Sequence, residues 1–272
     1  MKNLHKAYYK DYFNNLNFGY LLGNGQEPVV EIKRRNQNLT ALNLLHQIPR
    51  NPLVNSSIQL QISYPGLVTG IGINHEAKIE GEFKLGVHFD WTHGMPVVYG
   101  SSVKGVLRSW FMDIYKTSEV NNGIDSYDLL MDIFSGSTRN VEEEKKQYKE
   151  NWDEKVRDVK KRIYNPKSIY NRDIFFDAVI VEADSKGRIL ASDSITPHGG
   201  ENHDNPLKNP TPLTFMKIAS GCTMEFRFKL VTSVINGKTF TAAQKKTLFE
   251  EILKTVGVGA KTNVGYGQLK NV

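Results

Sequence analysis

Cysteine is nearly absent from this sequence: Cys222 is the only one in 272 residues. A single thiol excludes a disulfide within the chain and a zinc site built from cysteines. It sets the expectation of a reducing, cytoplasmic environment. Long apolar runs are missing too. No stretch approaches the ~20 apolar residues that cross a bilayer. The opening MKNLHKAYYKDYF lacks the apolar core of a secretory signal, and no membrane partner is expected. Hydrophobic residues make up 39% of the chain, on the low side for a globular protein, but the length allows a sizeable core. Internal repeats are absent.

Nucleotide-binding signatures are also lacking, although one stretch invites the comparison. GVGAKTNVGYGQL, residues 257–269, places four glycines in eleven positions. A Walker A loop needs a glycine directly before its Lys-Thr pair, and here Ala260 precedes Lys261 and Thr262. Such a loop also precedes its helix, so that the helix amino end meets the phosphates. This one follows a helix pattern, and G-x-G-x-x-G does not fit either. Gly257 stands where a left-handed helix cap is expected. Gly259, Gly265 and Gly267 are more than a cap requires. The surplus implies a backbone that bends repeatedly or comes close to something. Exposed amides beside Lys261 and Asn263 would suit a phosphate backbone.

A modest excess of base is present, with a formal charge of +6. Its sign favours an anionic partner, nucleic acid before membrane, against the plain alternative of a basic protein without one. SSIQLQISY (56–64) alternates Ile58, Leu60, Ile62 and Tyr64 on one face and reads as a strand. EFKLGVHFDW (82–91) alternates Phe83, Leu85, Val87 and Phe89 inward as another. DIFFDAVIVEAD (173–184) reads as a strand, and two more flank a turn at Ser220–Gly221. TAAQKKTLFEEILKTV predicts a helix with a Thr241/Gln244 capping box. Residues 141–163 predict one amphipathic helix with a stripe of Val141, Tyr148, Trp152, Val156, Val159 and Ile163, the rest being solvated charge. The pattern is α+β with mostly antiparallel strands.

MPVVYGSSVKGVLRSWFMDIYK predicts a strand through Val97 and Val98, a turn at Gly100 and a helix capped by Ser101 or Ser102. Val103, Val106, Leu107, Trp110, Phe111 and Ile114 form its apolar stripe. Lys104 and Arg108 share its exposed face near the amino end. Hydroxyls, amides and cations at one helix start favour an anion. An ordinary capped helix with two solvated cations is the alternative.

PVVYGSSVKGVLRS followed far downstream by GVGAKTNVGYG resembles the RAMP superfamily of CRISPR-associated RNA-binding proteins. The usual form is P-x-I-P-G-S-S-L-K-G-x-x-R, then G-x-G-x-x-x-x-x-G-x-G. Tyr99 replaces the second proline and Val103 the leucine. Two further segments, SYPGLVTGIGINHEAKIEGEFKLGVHFDW and FFDAVIVEADSKGRILASDSITPHGGENH, resemble the sixth-subunit family of the type III-B (Cmr) effector complex. The likeness covers roughly residues 56–113 and 173–269.

The resemblance implies a modified RRM-like (ferredoxin-like) antiparallel sheet with helices on one face and insertions. It implies a single RAMP domain over 1–272, with residues 1–50 as an N-terminal extension and 136–170 as a charged helical insertion. It further implies a non-catalytic subunit of the antiviral Cmr complex, near the 3′ end of the crRNA. The partners are then crRNA, target RNA and other Cmr subunits, with no cofactor or metal. Carried over by position, Gly100, Ser101, Ser102, Lys104 and Arg108 contact RNA, as do Gly259, Lys261, Asn263, Gly265 and Tyr266. Backbone contacts suit a guide that must be gripped whatever its sequence. The two motifs are expected side by side. The alternative function is a metal-independent, RAMP-type endoribonuclease that processes crRNA with a histidine base. His75, His88, His93, His198 and His203 are the candidates, and His198 with His203 near Asp193 and Asp204 is a weak metal pattern.

Overall fold

The computed structural model describes residues 3–19, 26, 28–45, 48, 51–70, 79–196 and 212–272. After short helical turns at Leu4–Lys6 and Ala7–Asp11, the helix here called α1 is Val29–Thr40, and strand β1 is Ser56–Ile62. Three short strands follow, β2 at Lys84–Leu85, β3 at His88–Phe89 and β4 at Pro96–Val98, leading into α2, Gly100–Thr117. After residues 136–170 come β5 (Ile174–Phe175), β6 (Ala178–Glu182), β7 (Leu190–Ile195), β8 (Leu213–Ile218) and β9 (Thr223–Lys229). Helix α3 is Ala242–Val256, and β10 is Leu269–Asn271.

The central sheet has the order β10-β1-β9-β6-β4-β3, with β5 also on β9, and its described ladders are antiparallel. Period-2 alternation decides its faces. Ile58, Leu60 and Ile62 of β1 and Met224, Phe226 and Phe228 of β9 are buried beneath the helices. Val103, Leu107, Phe111 and Tyr115 of α2 and Leu248, Phe249, Ile252 and Leu253 of α3 complete that core. Phe228 meets Phe249 at 5.5 Å between ring centroids. Each such side chain contributes about 1.5–3 kcal/mol by leaving water. A smaller sheet, β2-β8-β7, pairs β2 with β8 in parallel.

The α+β class and the antiparallel sheet agree with the sequence pattern. The capping box forms as read: Thr241 Oγ1 accepts from the Gln244 amide at 3.2 Å, and Gln244 Oε1 accepts from the Thr241 amide at 2.9 Å. Several local expectations need correction. Tyr64 lies past the end of β1 and is 86% exposed, and Trp110 is 47% exposed, so neither belongs to its stripe. Residues 82–91 are not one strand. Phe83, Leu85, Val87 and Phe89 are all buried, but Leu85 pairs with Met216 in one sheet and His88 with Val97 in the other. The crossing is at Gly86, where a Cβ would fall 2.2 Å from the Met216 carbonyl oxygen. Residues 173–184 likewise divide into β5 and β6.

The charged segment is not one helix. The α-helix over Val141–Tyr148 ends at Lys149, whose φ is 48°, a 3-10 turn covers Lys149–Asn151, and α-helix resumes over Trp152–Lys155. Ser137–Arg139 pairs with Tyr164–Pro166 and closes its base. Part of the charge run faces inward. The Glu144 side chain is fully buried and accepts from Arg139 Nε at 3.0 Å, Trp152 Nε1 at 3.1 Å and the Ile163 amide at 2.9 Å. The tyrosine-rich N-terminal segment packs on the body, with Tyr8 Oη donating to the Phe83 carbonyl at 2.8 Å. In α1 the run Lys33, Arg34 and Arg35 is partly neutralised, since Arg34 and Arg35 both bond Glu31.

Candidate nucleic-acid interface

The amino end of α2 is built by close backbone packing. A Cβ on Gly100 would fall 2.3 Å from the Phe175 carbonyl oxygen, so β5 presses directly on the helix start. The cap is supplied from elsewhere in the chain: the Gly100 amide donates to Asp177 Oδ1 at 2.7 Å. Ser101 and Ser102 do not cap. They lie inside the first turn with their side chains in solvent. A remote carboxylate satisfies the helix end and leaves both hydroxyls free for a ligand.

Lys104 extends over the Phe175 ring, 5.8 Å from its centroid. Burial holds its ammonium below the usual pKa, and the neighbouring charges of Arg108 and Arg172 push the same way. The Arg172 guanidinium is fixed by two bonds to the Lys167 carbonyl oxygen, from Nε at 2.8 Å and Nη2 at 2.6 Å. Three cations therefore converge beside two exposed hydroxyls, an arrangement that attracts a polyanion. Arg172 was not among the sequence candidates. It lies 64 positions beyond Arg108, and only the return of the chain at β5 brings it near.

The second motif is a loop that packs on itself. Gly257, Gly259, Gly265 and Gly267 all have positive φ, between 71° and 96°. Gly257 caps α3, its amide donating to the Leu253 carbonyl at 3.0 Å, but its ψ of −170° is not the left-handed helical cap expected. A Cβ on Gly267 would fall 1.9 Å from the Val258 carbonyl oxygen, and one on Gly259 2.3 Å from that of Val68. The close approach implied by the surplus glycine is thus to the chain itself. The amides of Val258, Ala260, Val264, Gly265, Tyr266 and Gly267 are spent on internal carbonyls, so the expected cradle of exposed amides is largely absent. Lys261 is half-buried and Asn263 exposed. Tyr266 is 7% exposed, with its hydroxyl donating to Asp193 Oδ2 at 2.7 Å. Lys217 Nζ donates to the same oxygen at 2.5 Å.

The two motifs are not side by side. Gly100 sits at the level of Phe175, which pairs with Phe228 and through it with Ser56. The loop joins the other end of β1, where Ile62 pairs with Leu269. A relay of neighbours runs between them. Ala260 donates to the Val68 carbonyl at 2.7 Å, Gly70 lies against the His88 ring, and His88 stacks on Tyr99 at 5.0 Å. Burial lowers the His88 pKa.

His75, His198, His203 and Asp204 lie outside the described residues. Among the described residues no group of three His, Cys, Asp or Glu is placed to hold a metal ion, and no helix is long and apolar enough to cross a membrane.

An antiparallel sheet carries two helices on one face, a basic helix start at one end of its strands and a glycine-rich loop at the other. That defines an α+β protein with the paired RAMP motifs in place. Residues 21–270 match the RAMP superfamily, and the chain belongs to it. Among curated proteins it is similar to the CRISPR system Cmr subunit Cmr6 of Pyrococcus furiosus, 27% identical over 233 residues, 75% of this chain and 64% of that protein. The chain thus covers slightly less than two thirds of that relative. Among solved structures it is similar to a chain of the type III-B Cmr-beta complex bound to cognate target RNA, with TM-score 0.48, 18% identity and coverage of 79% and 57%. It is also similar to the crystal structure of P. furiosus Cmr6, with TM-score 0.33, 19% identity and coverage of 80% and 98%.

Proposed function

We propose that this chain is a non-catalytic RNA-binding subunit of a type III-B CRISPR effector complex. It holds the crRNA, in its 3′ region, and the target RNA paired to it, alongside other Cmr subunits in the cytoplasm. The observation that carries this reading is the convergence of Lys104, Arg108 and Arg172 at the start of α2, in a member of the RAMP superfamily. Similarity to Cmr6 over most of the chain supports the choice of complex. The succession β1-α2-β6-β9-α3-β10 with spatial order β10-β1-β9-β6 supports an RRM-like, ferredoxin-like core, with residues 1–50 and 136–170 added to one domain. Cations at a helix start bind backbone phosphates without reading bases, as a guide-holding subunit requires.

Lys104→Ala with Arg108→Ala tests the site. The double variant should lose most affinity for single-stranded RNA, or fail to enter the complex, while keeping the wild-type melting temperature. Wild-type RNA binding and assembly would overturn the assignment. The endoribonuclease reading has one observation in its favour. His88 lies against Tyr99 at the start of α2, and burial favours the neutral form that a general base needs. Single-turnover incubation with repeat RNA, protein in large excess, distinguishes the two readings. Cleavage abolished by His88→Ala would replace the non-catalytic reading.

A further inference from the structure

The N-terminal segment brings aromatic rings to an edge of the central sheet that the α2 site does not use. Strand β3 forms that edge. At one end of it the His88 ring stacks on Tyr99, 5.0 Å between centroids. Tyr99 immediately precedes α2, and its carbonyl accepts from the Ser102 and Val103 amides at 2.8 and 3.0 Å. Past the other end of β3 stands Trp91, 78% exposed. The helical turns Leu4–Lys6 and Ala7–Asp11 carry two further rings. His5 lies 4.6 Å from Trp91 and 4.5 Å from Tyr9. Burial, then the Tyr99 phenol, raise the Tyr9 pKa, so Tyr9 and Tyr99 lie within electrostatic reach of one another. The rings form a row from Trp91 to the start of α2.

Packing does not account for this row. A tryptophan that serves packing buries its ring, and Trp91 is turned to solvent. His5 Nε2 is shielded from solvent without a hydrogen-bond partner, which costs stability rather than adding to it. Charge supplies the second clue. A lysine follows each N-terminal ring, Lys6 after His5 and Lys10 after Tyr9, and both are exposed. Lys6 reaches only Asp11, at 3.9 Å with both side chains in solvent, a pair worth little. Lys10 pairs with no carboxylate among the described residues. An apolar protein face would take Trp91 but has no use for the two lysines, and a lone phosphate has none for the rings. Single-stranded RNA uses both.

We propose that unpaired nucleotides of an RNA strand leaving the start of α2 lie along this row, with a base stacked on Trp91 and backbone phosphates beside Lys6 and Lys10. This rests on the RNA-binding reading of Lys104 and Arg108 and extends it along the sheet edge to the N-terminal segment. Every base has an aromatic face, so such a platform is blind to guide sequence.

The test titrates the full chain with a labelled single-stranded RNA, following anisotropy and tryptophan emission together. RNA should quench wild-type emission. Trp91→Phe, which keeps a ring, should remove most of that quench with little loss of affinity. Trp91→Ala should bind roughly ten-fold more weakly, the range of a single stacked base. It should also ignore a missing base at the position where an abasic copy weakens wild type. Lys6→Ala with Lys10→Ala should keep the melting temperature and flatten the slope of log K against log salt by about 1.4, as two phosphate contacts require. Wild-type affinity in Trp91→Ala, or an undiminished quench in Trp91→Phe, would overturn the platform and leave the α2 reading standing. Wild-type RNA affinity together with loss of Trp91→Ala from the assembled complex would replace the RNA with a protein partner. No binding of any RNA by wild type would overturn both readings.

Discussion

The Lys245 ammonium donates to Asp173 Oδ2 across 2.5 Å, with both side chains wholly shielded from solvent. The pair ties the first turn of α3 to the residue preceding β5, and the other Asp173 oxygen accepts from the Val231 amide at 2.8 Å. Burial raises the Asp173 pKa and lowers that of Lys245, each opposed by the charge of its partner. Removing one partner strands the other charge in the core. Lys245→Ala should cost about 3–5 kcal/mol in urea denaturation. Lys245→Met combined with Asp173→Asn, which keeps an acceptor for Val231, should recover at least half of that loss. A single variant as stable as wild type would show that the pair is dispensable.

Asp193 predicts a pH dependence. Burial pushes its carboxyl up, and hydrogen bonds from Lys217 and Tyr266 more than reverse this, leaving its pKa below the ordinary value. The folded state then holds the carboxylate better than the unfolded chain does. That contribution is complete above the unfolded pKa of about 3.9 and is lost as pH falls through the folded one. Asp193→Asn should melt below wild type at neutral pH, and the difference should close below about pH 4. A difference that stays constant down to the acid end of the melting series would remove Asp193 as its source.

Two glycines should respond in opposite directions. Gly267→Ala places a methyl 1.9 Å from the Val258 carbonyl at a φ of 71°, and should destabilise by about 2 kcal/mol or more. Gly105→Ala lies within α2 with nothing within 4 Å of the new methyl, and should stabilise by about 0.5–1 kcal/mol. Gly105 stands between Lys104 and Arg108. If an RNA backbone crosses there, the same Gly105→Ala variant should bind RNA less well while melting higher. Unchanged RNA affinity would move the backbone off this turn.

The phosphate contacts have a salt signature. Each one to single-stranded nucleic acid contributes about 0.7 to the slope of log K against log salt. Lys104→Ala with Arg108→Ala should therefore flatten the slope by about 1.4, and Arg172→Ala by a further ~0.7. A titration series in potassium chloride reads this directly. An Arg172→Ala slope equal to wild type would exclude that residue from the phosphate path.

Much of the fold was legible where a rule is local. The α3 helix and its capping box, the alternation of Ile58, Leu60 and Ile62, and the helix start at Gly100 follow from periods and turn chemistry. Residues 82–91 show the limit. Their alternation predicted which side chains are buried, and all four are, but not that the chain changes sheets at Gly86. The Lys149 break was hidden because the stripe continues across it.

The sequence by itself determined the α+β class, the faces of the main strands and helices, the need for glycine at 257–267 and the cations at the start of α2. These depend on residues a few positions apart. The tertiary structure alone decided that Asp177 caps α2, that Arg172 joins Lys104 and Arg108, that Glu144 and Lys245 carry charge into the interior, and that the two motifs occupy opposite ends of the strands. Strand periodicity fixes which way a side chain points but not which strand lies beside it, and a charge bears no mark of a partner tens of residues away. Those facts arise only when the chain has closed on itself.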